Sequence, residues 1–213
     1  MRTCLARPEL QNLPQGWFHH GEKILDLLEE HKPKVCVELG SWKGASAIAM
    51  ARVLRTWNGT LTCVDTWAHE AFHGGITKDT PRPVPKMIGE CAANLVAAGV
   101  SASVRLIVAP SLEAAQCWSE PIDFLYIDAD HEYAQVLADL EAWVPHVREG
   151  GLIAGDDYAN PGFPGVRMAW NYYEIEHGFP LQRWSTPNTQ PPGMQLIFGF
   201  KEISNGETGS DAR

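Results

Sequence analysis

Five short apolar runs, each followed by a stretch of helix-forming residues, constrain this chain more than any other feature. The runs are KVCVELG (34–40), GTLTCVDTW (59–67), ASVRLIVA (102–109), IDFLYIDAD (122–130) and GGLIAGDD (150–157). Each is short, apolar and bounded by turn residues, the mark of a buried strand. The stretches between them, ASAIAMARVLRTW, MIGECAANLVAAG, SLEAAQCW and EYAQVLADLEAWV, favour helix. Gly99 closes the second of these, and Ser111 is expected to cap the third. Ahead of the first strand, Ile24, Leu25, Leu27 and Leu28 share one helical face, and Pro33 stops that helix. In the last stretch Tyr133, Val136, Leu137, Leu140, Trp143 and Val144 repeat at helical spacing. Strands alternating with helices specify a parallel sheet covered on both faces. After one more helix, GVRMAWNYYEIEHG, come LQRW and MQLIFGF, separated only by STPNTQPPG. With no helix between them, these two are expected to pair antiparallel at one edge. The expectation is an α/β, doubly wound, seven-stranded sheet, mostly parallel with one antiparallel edge strand. Its ligands belong at the carboxyl ends of the strands.

The 213 residues are 45% hydrophobic and 20% charged, enough for a core that needs no staples. Residues 1–20 read as an N-terminal arm and candidate lid, 21–203 as a single domain and 204–213 as a polar, disordered tail. The formal net charge of −9 argues against a nucleic-acid binder, which needs a basic stripe. No apolar stretch approaches membrane-spanning length. The five cysteines, Cys4, Cys36, Cys63, Cys91 and Cys117, are odd in number and lack metal-ligand spacing. Free thiols and the absence of an apolar leader fit a cytoplasmic location. Residues 68–86 hold two histidines, His69 and His73, with two glycines and three prolines. They read as a long functional loop.

The strand ends carry the chemistry. The first run leads into Glu38-x-Gly40-x-x-x-Gly44, a strand-to-helix turn of the kind that brings backbone close to a ligand. Dinucleotide enzymes usually carry G-x-G-x-x-G there, with the backbone against a pyrophosphate. Here the middle glycine is missing, Ser41 and Trp42 stand in its region, and Glu38 would sit poorly beside a pyrophosphate. An acid at that position suits a ligand with a cationic amino-acid end, although it is also readable as a satisfied polar residue at a strand terminus. Asp65 ends the second run, where an acid accepts hydrogen bonds from ribose hydroxyls. That ribose belongs to NAD(P) and to S-adenosylmethionine alike, so an oxidoreductase stays open beside a transferase.

Together VELGSWKGASAIAMARVL, CVDTW, FLYIDADHEY and GGLIAGDDY resemble the class I S-adenosylmethionine-dependent methyltransferases. The flavour is similar to the metal-dependent catechol and caffeoyl-CoA O-methyltransferases and to related small enzymes that modify sugars and antibiotics. The resemblance runs from about Gly21 to Phe200 and implies a Rossmann-like sheet. It implies that Glu38, Gly40, Ser41, Trp42, Gly44 and Ser46 cradle the methionine end of S-adenosylmethionine. Asp65 and Thr66 would hold the ribose side, Ser111 and Leu112 would line the adenine, and Asp128 would also touch the cofactor. A plain helix cap is an equal reading of Ser111. Trp67 would cover the cofactor or plug the loop.

Asp128 ends the fourth run, and Asp156 and Asp157 end the fifth. Neighbouring strands lie about 4.8 Å apart, so three carboxylates would meet at the carboxyl edge of the sheet, where the substrate is expected. A divalent cation with oxygen ligands, Mg²⁺ or similar, resolves that repulsion. The resemblance assigns the metal to Asp128 and Asp156, with Asp157 standing where relatives often carry Asn. The competing reading has Asp130 and Asp157 capping helices with no metal. His131 lies three residues after Asp128, where the catechol-type enzymes have a Lys base. An imidazole there can take a hydroxyl proton, or merely cap the next helix. The expected activity is transfer of a methyl group to a hydroxyl of a small molecule, with His131 and Asp128 as the catalytic residues. Residues 158–166 and the 68–86 loop would shape the acceptor pocket, and small relatives make a homodimer the candidate assembly.

Overall fold

The computed structural model describes residues 7–16, 18–68, 84–185 and 195–202. The helices are α1 (Gly21–His31), α2 (Ala45–Leu54), α3 (Val84–Ala97), α4 (Ser111–Gln116), α5 (Tyr133–Trp143) and α6 (Pro164–His177). The strands are β1 (Val35–Leu39), β2 (Thr60–Asp65), β3 (Val104–Val108), β4 (Ile122–Ile127), β5 (Val147–Gly155), β6 (Leu181–Ser185) and β7 (Gln195–Phe200). They form one seven-stranded sheet in the order β3-β2-β1-β4-β5-β7-β6. Strands β3 through β5 are parallel neighbours, whereas β7 runs antiparallel to both β5 and β6. The antiparallel strand expected at the edge is therefore β7, one place in. The chain passes from β5 through α6 to β6, skipping one position, and β7 returns to fill the gap.

Alternation along the strands sorts the core into two layers. Cys36, Phe124, Tyr126, Leu152 and Ala154 face α1, α2 and α3, together with Leu25, Leu28, Met50 and Met87. Val37, Leu39, Leu125, Ile127 and Ile153 face α4, α5 and α6, together with Leu140, Trp143 and Trp170. Strands buried on both faces leave no polar stripe, which is why the runs read as nearly continuous apolar segments. Cys36, Cys63 and Cys91 are buried free thiols and Cys117 is an exposed one, while Cys4 lies outside the described residues.

Three local expectations change. Helix α3 begins at Val84, so the loop read as 68–86 gives up its last three residues to helix, while 69–83, with His69 and His73, lie outside the described residues. Ser111 does not cap α4. Pro110 occupies the cap position, and Ser111 is the first helical residue. The arm at 7–16 packs onto the body: Arg52 donates to the carbonyls of Glu9 and Gln11 at 2.8 Å each, and Leu10 and Leu13 lie against the core. Trp17 and residues 203–213, the expected tail included, lie outside the described residues. Among the described residues no helix is long and apolar enough to cross a membrane.

Candidate functional site

The turn after β1 is held shut by main chain. Gly40 has φ +83°, and a Cβ there would lie 2.1 Å from the Asp128 carbonyl oxygen and 2.7 Å from the Ala129 Cα. Only glycine fits a backbone that close in that conformation. The contact joins the end of β1 to the end of β4, so the glycine turn and the acidic strand end share one cleft. Gly44, at φ +86°, sits at the cap position of α2.

Glu38 forms the floor of this turn and is fully buried. Its carboxylate accepts the hydroxyls of Ser41 and Ser46. Burial pushes its pKa up to about 7, against the opposing pull of the Ser41, Ser46 and Cys63 hydrogen bonds. No cation contributes to that balance among the described residues. Asp65 braces the turn from the next strand. One of its oxygens accepts the Ser41 and Trp42 N–H groups at 2.9 Å each, and the other accepts the Trp67 N–H at 2.7 Å. Trp42 and Trp67 both have positive φ, and these bonds hold them there. The Trp67 side chain is a plug: it is buried, and its indole donates to the Trp42 carbonyl at 2.8 Å. The Thr66 hydroxyl accepts the Ala68 N–H at 3.3 Å.

Beyond Gly40 lies the acidic group. Asp128, His131 and Asp157 bring one ligand atom each to within 4.8 Å of one another. Burial, then the charges of Asp156, Asp157 and Glu38, push the Asp128 carboxyl well above its ordinary range. The His131 Nε2 lies 3.0 Å from Asp157 Oδ2, and Asn160 donates to the other Asp157 oxygen at 2.8 Å. Burial raises Asp157, but the bonds from His131 and Asn160 outweigh it and hold its carboxyl below the ordinary value. Phe163 stacks on the His131 ring at 3.9 Å.

Asp156, expected beside Asp128 and Asp157, is buried and bonded to its protein neighbours, and its charge still acts on Asp128. Its oxygens accept the Tyr126 hydroxyl and the Asp157 N–H, at 2.9 and 2.8 Å, and the His20 ring nitrogen lies 3.4 Å away. Burial lowers the His20 pKa, against the pull of the Asp156 charge, and burial raises that of Asp156, against the pull of His20. His20, in the expected arm, is fully buried.

At the start of α4, Ser111 donates to the buried Asp139, and Leu112 faces a groove of about 570 Å³ between α4 and α5. Residue spacing singled out neither Tyr126, Phe163 nor Asp139. Asp139 did carry a signal, being an acid set among the apolar face of α5 beside Val136, Leu140 and Trp143.

Fold and site together define a Rossmann-like α/β protein with a glycine turn and a group of acids at the carboxyl edge of its sheet. The model of a methyltransferase domain matches residues 37–158, more than half of the chain, and the chain belongs to that family. Over 97% of its length it is 25% identical to uncharacterized protein y4gI of Sinorhizobium fredii (strain NBRC 101917 / NGR234). It spans only 22% of that relative. Among solved structures it resembles cofactor-bound Rv0187 from MTB at 19% identity and TM-score 0.69, over 90% of this chain and 85% of that one. It resembles an O-methyltransferase from Bacillus cereus in complex with SAH at 22% identity and TM-score 0.66, over 89% and 85%. The O-methyltransferase TomG from Streptomyces achromogenes, in complex with SAM, matches at 17% identity and TM-score 0.65, over 89% and 82%. At these identities the likeness is one of fold.

Proposed function

We propose that the chain transfers a methyl group from S-adenosylmethionine to a hydroxyl of a small molecule. The observation that carries this reading is the contact of Gly40 with Asp128, which sets an acid-floored cofactor turn directly against a group of proton-handling side chains. The turn fits the cofactor. Glu38 is a buried acid without a cation among the described residues, which suits a ligand bringing an ammonium group. S-adenosylmethionine supplies a sulfonium methyl for direct displacement. Gly40, Ser41, Trp42, Gly44 and Ser46 wrap its methionine end, with Glu38 reaching it through the two serine hydroxyls. Asp65 and Thr66 meet the ribose, and Ser111 the base. The B. cereus and S. achromogenes enzymes, solved with SAH and SAM, support the same ligand class by likeness of fold.

On the acceptor side, His131 receives the hydroxyl proton. Asp157 and Phe163 fix its ring, and the Asp157 carboxylate stabilises the imidazolium that forms. Asp128 orients the hydroxyl, so positioning supplies much of the rate. The donor set of Asp128, Asp157 and His131 also fits a divalent cation, which when bound would lower the pKa of the acceptor hydroxyl. Asp156 then supports the site from behind through Tyr126 and His20. We assign residues 21–203 to one catalytic domain, with 1–20 as an arm that His20 ties to Asp156.

Calorimetric titration with S-adenosylmethionine, S-adenosylhomocysteine and NAD tests the cofactor. Binding of NAD and of neither sulfur compound sinks the reading. A methyl-transfer screen over hydroxylated small molecules, run with Mg²⁺ and with EDTA, tests the rest. Full turnover in EDTA removes the metal and leaves His131 as the base.

A further inference from the structure

Asp139 is the buried acid that the proposed chemistry leaves unused. It sits on α5 with 1% exposure, and among the described residues its Oδ2 is buried without a hydrogen-bond partner. Its Oδ1 accepts the Ser111 hydroxyl and the Gln135 amide, the latter at 3.2 Å. The Trp143 indole donates to the Ser111 carbonyl at 3.1 Å, so both the backbone and the side chain of Ser111 are held from the α5 side. A helix cap does not explain this arrangement, because Pro110 occupies that position.

Ser111 lies where a nucleobase must reach. The glycine turn follows β1, Asp65 ends β2, and Asp65 pairs with Val108 at the end of β3. A nucleoside whose ribose meets Asp65 extends its base across the next strand end, toward Ala109 to Leu112. Ser111 is half-buried there.

We propose that Asp139 is a positioning residue that makes the Ser111 hydroxyl an obligatory hydrogen-bond acceptor toward the base. It thereby selects a 6-amino purine over a 6-oxo purine. This rests on the reading of the cleft as an S-adenosylmethionine site. A serine hydroxyl has one proton and two lone pairs, and an ionised carboxylate can only accept. While Asp139 is ionised, the Ser111 proton is committed to it, and only lone pairs are left to meet a base. Those lone pairs can receive an exocyclic amine, but they oppose a carbonyl oxygen. Burial pushes the Asp139 pKa up to about 6, so the group is ionised at pH 7.5. An Asn in its place carries both a donor and an acceptor. Its amide can donate to Ser111 and release the serine proton outward.

The test is calorimetric, at pH 7.5, with S-adenosylhomocysteine and S-inosylhomocysteine as paired probes. The wild type is expected to bind the 6-amino compound about tenfold tighter or more, as facing an acceptor with another acceptor costs a buried hydrogen bond. Asp139→Asn and Ser111→Ala are each expected to narrow that ratio to about threefold or less. A purely structural role would weaken both ligands in proportion and leave the ratio intact, which overturns the proposal. So does a wild type that binds both compounds equally well. If the wild type binds neither, the cofactor reading itself fails and the inference falls with it. Should Asp139→Asn not fold, Ser111→Ala reads the same ratio.

Discussion

Glu38→Gln tests the charge buried beneath the cofactor turn. The native carboxyl has its pKa raised from 4.5 to about 7, chiefly by burial. Between those values the native chain keeps a proton that the unfolded chain has released. Stability therefore falls as pH rises through that window. Each pH unit is worth about 1.4 kcal/mol, so the buried carboxylate costs roughly 3 kcal/mol once ionised. Gln is isosteric and uncharged, and the Ser41 and Ser46 hydroxyls can still bond to it. The other raised carboxyls, Asp128, Asp139 and Asp156, are common to both proteins and largely cancel in the difference. Urea unfolding from pH 4 to 8.5 is the assay. Below pH 4.5 the two proteins should match within about 1 kcal/mol. By pH 8 the variant should be more stable by roughly 3 kcal/mol. The same variant should bind S-adenosylhomocysteine more weakly, because the ligand ammonium loses its counter-charge. A difference that stays flat across the window, or favours the wild type as pH rises, would refute the reasoning. It would mean that Glu38 is ionised and well compensated in the empty site.

Gly40→Ala should destabilise the fold by about 3 kcal/mol or more, from a positive φ and a Cβ driven into the Asp128 main chain. Gly89→Ala, with nothing within 4 Å of its Cβ, is the control and should be neutral or slightly stabilising in the same denaturation experiment. Asp65→Ala removes the acceptor of three backbone N–H groups and should cost roughly 3 kcal/mol as well as weaken S-adenosylhomocysteine binding in calorimetry. Asp128→Asn should retain that binding yet lower turnover by about a hundredfold or more, and unchanged turnover would remove Asp128 from the chemistry.

The sheet was legible because its central strands β1, β2 and β4 and the second half of β5 are buried on both faces and therefore written as nearly continuous apolar runs. The acids at the strand ends were legible for the same reason, since a carboxylate at the end of such a run is conspicuous. Their orientation was not. Asp156 and Asp157 are adjacent in sequence, and only the turn after β5, where Asp157 takes a φ of +56°, sends one inward to Tyr126 and the other toward His131. Asp65 was read as a ribose ligand from its position, while its bonds to the Ser41, Trp42 and Trp67 N–H groups appear only in three dimensions. Asp139 meets Ser111 across 28 residues, and His20 meets Asp156 across more than a hundred, distances that no local spacing encodes.

The sequence by itself therefore determined the alternation of strands and helices, the glycine turn and the acids at the carboxyl edge. Those features depend on burial period and backbone conformation, both local properties. Tertiary structure alone decided which carboxylates share a space, that the reversed strand β7 lies inside the edge rather than on it, and that His20 belongs to the core. Each of these depends on which distant segments the two hydrophobic layers bring into contact.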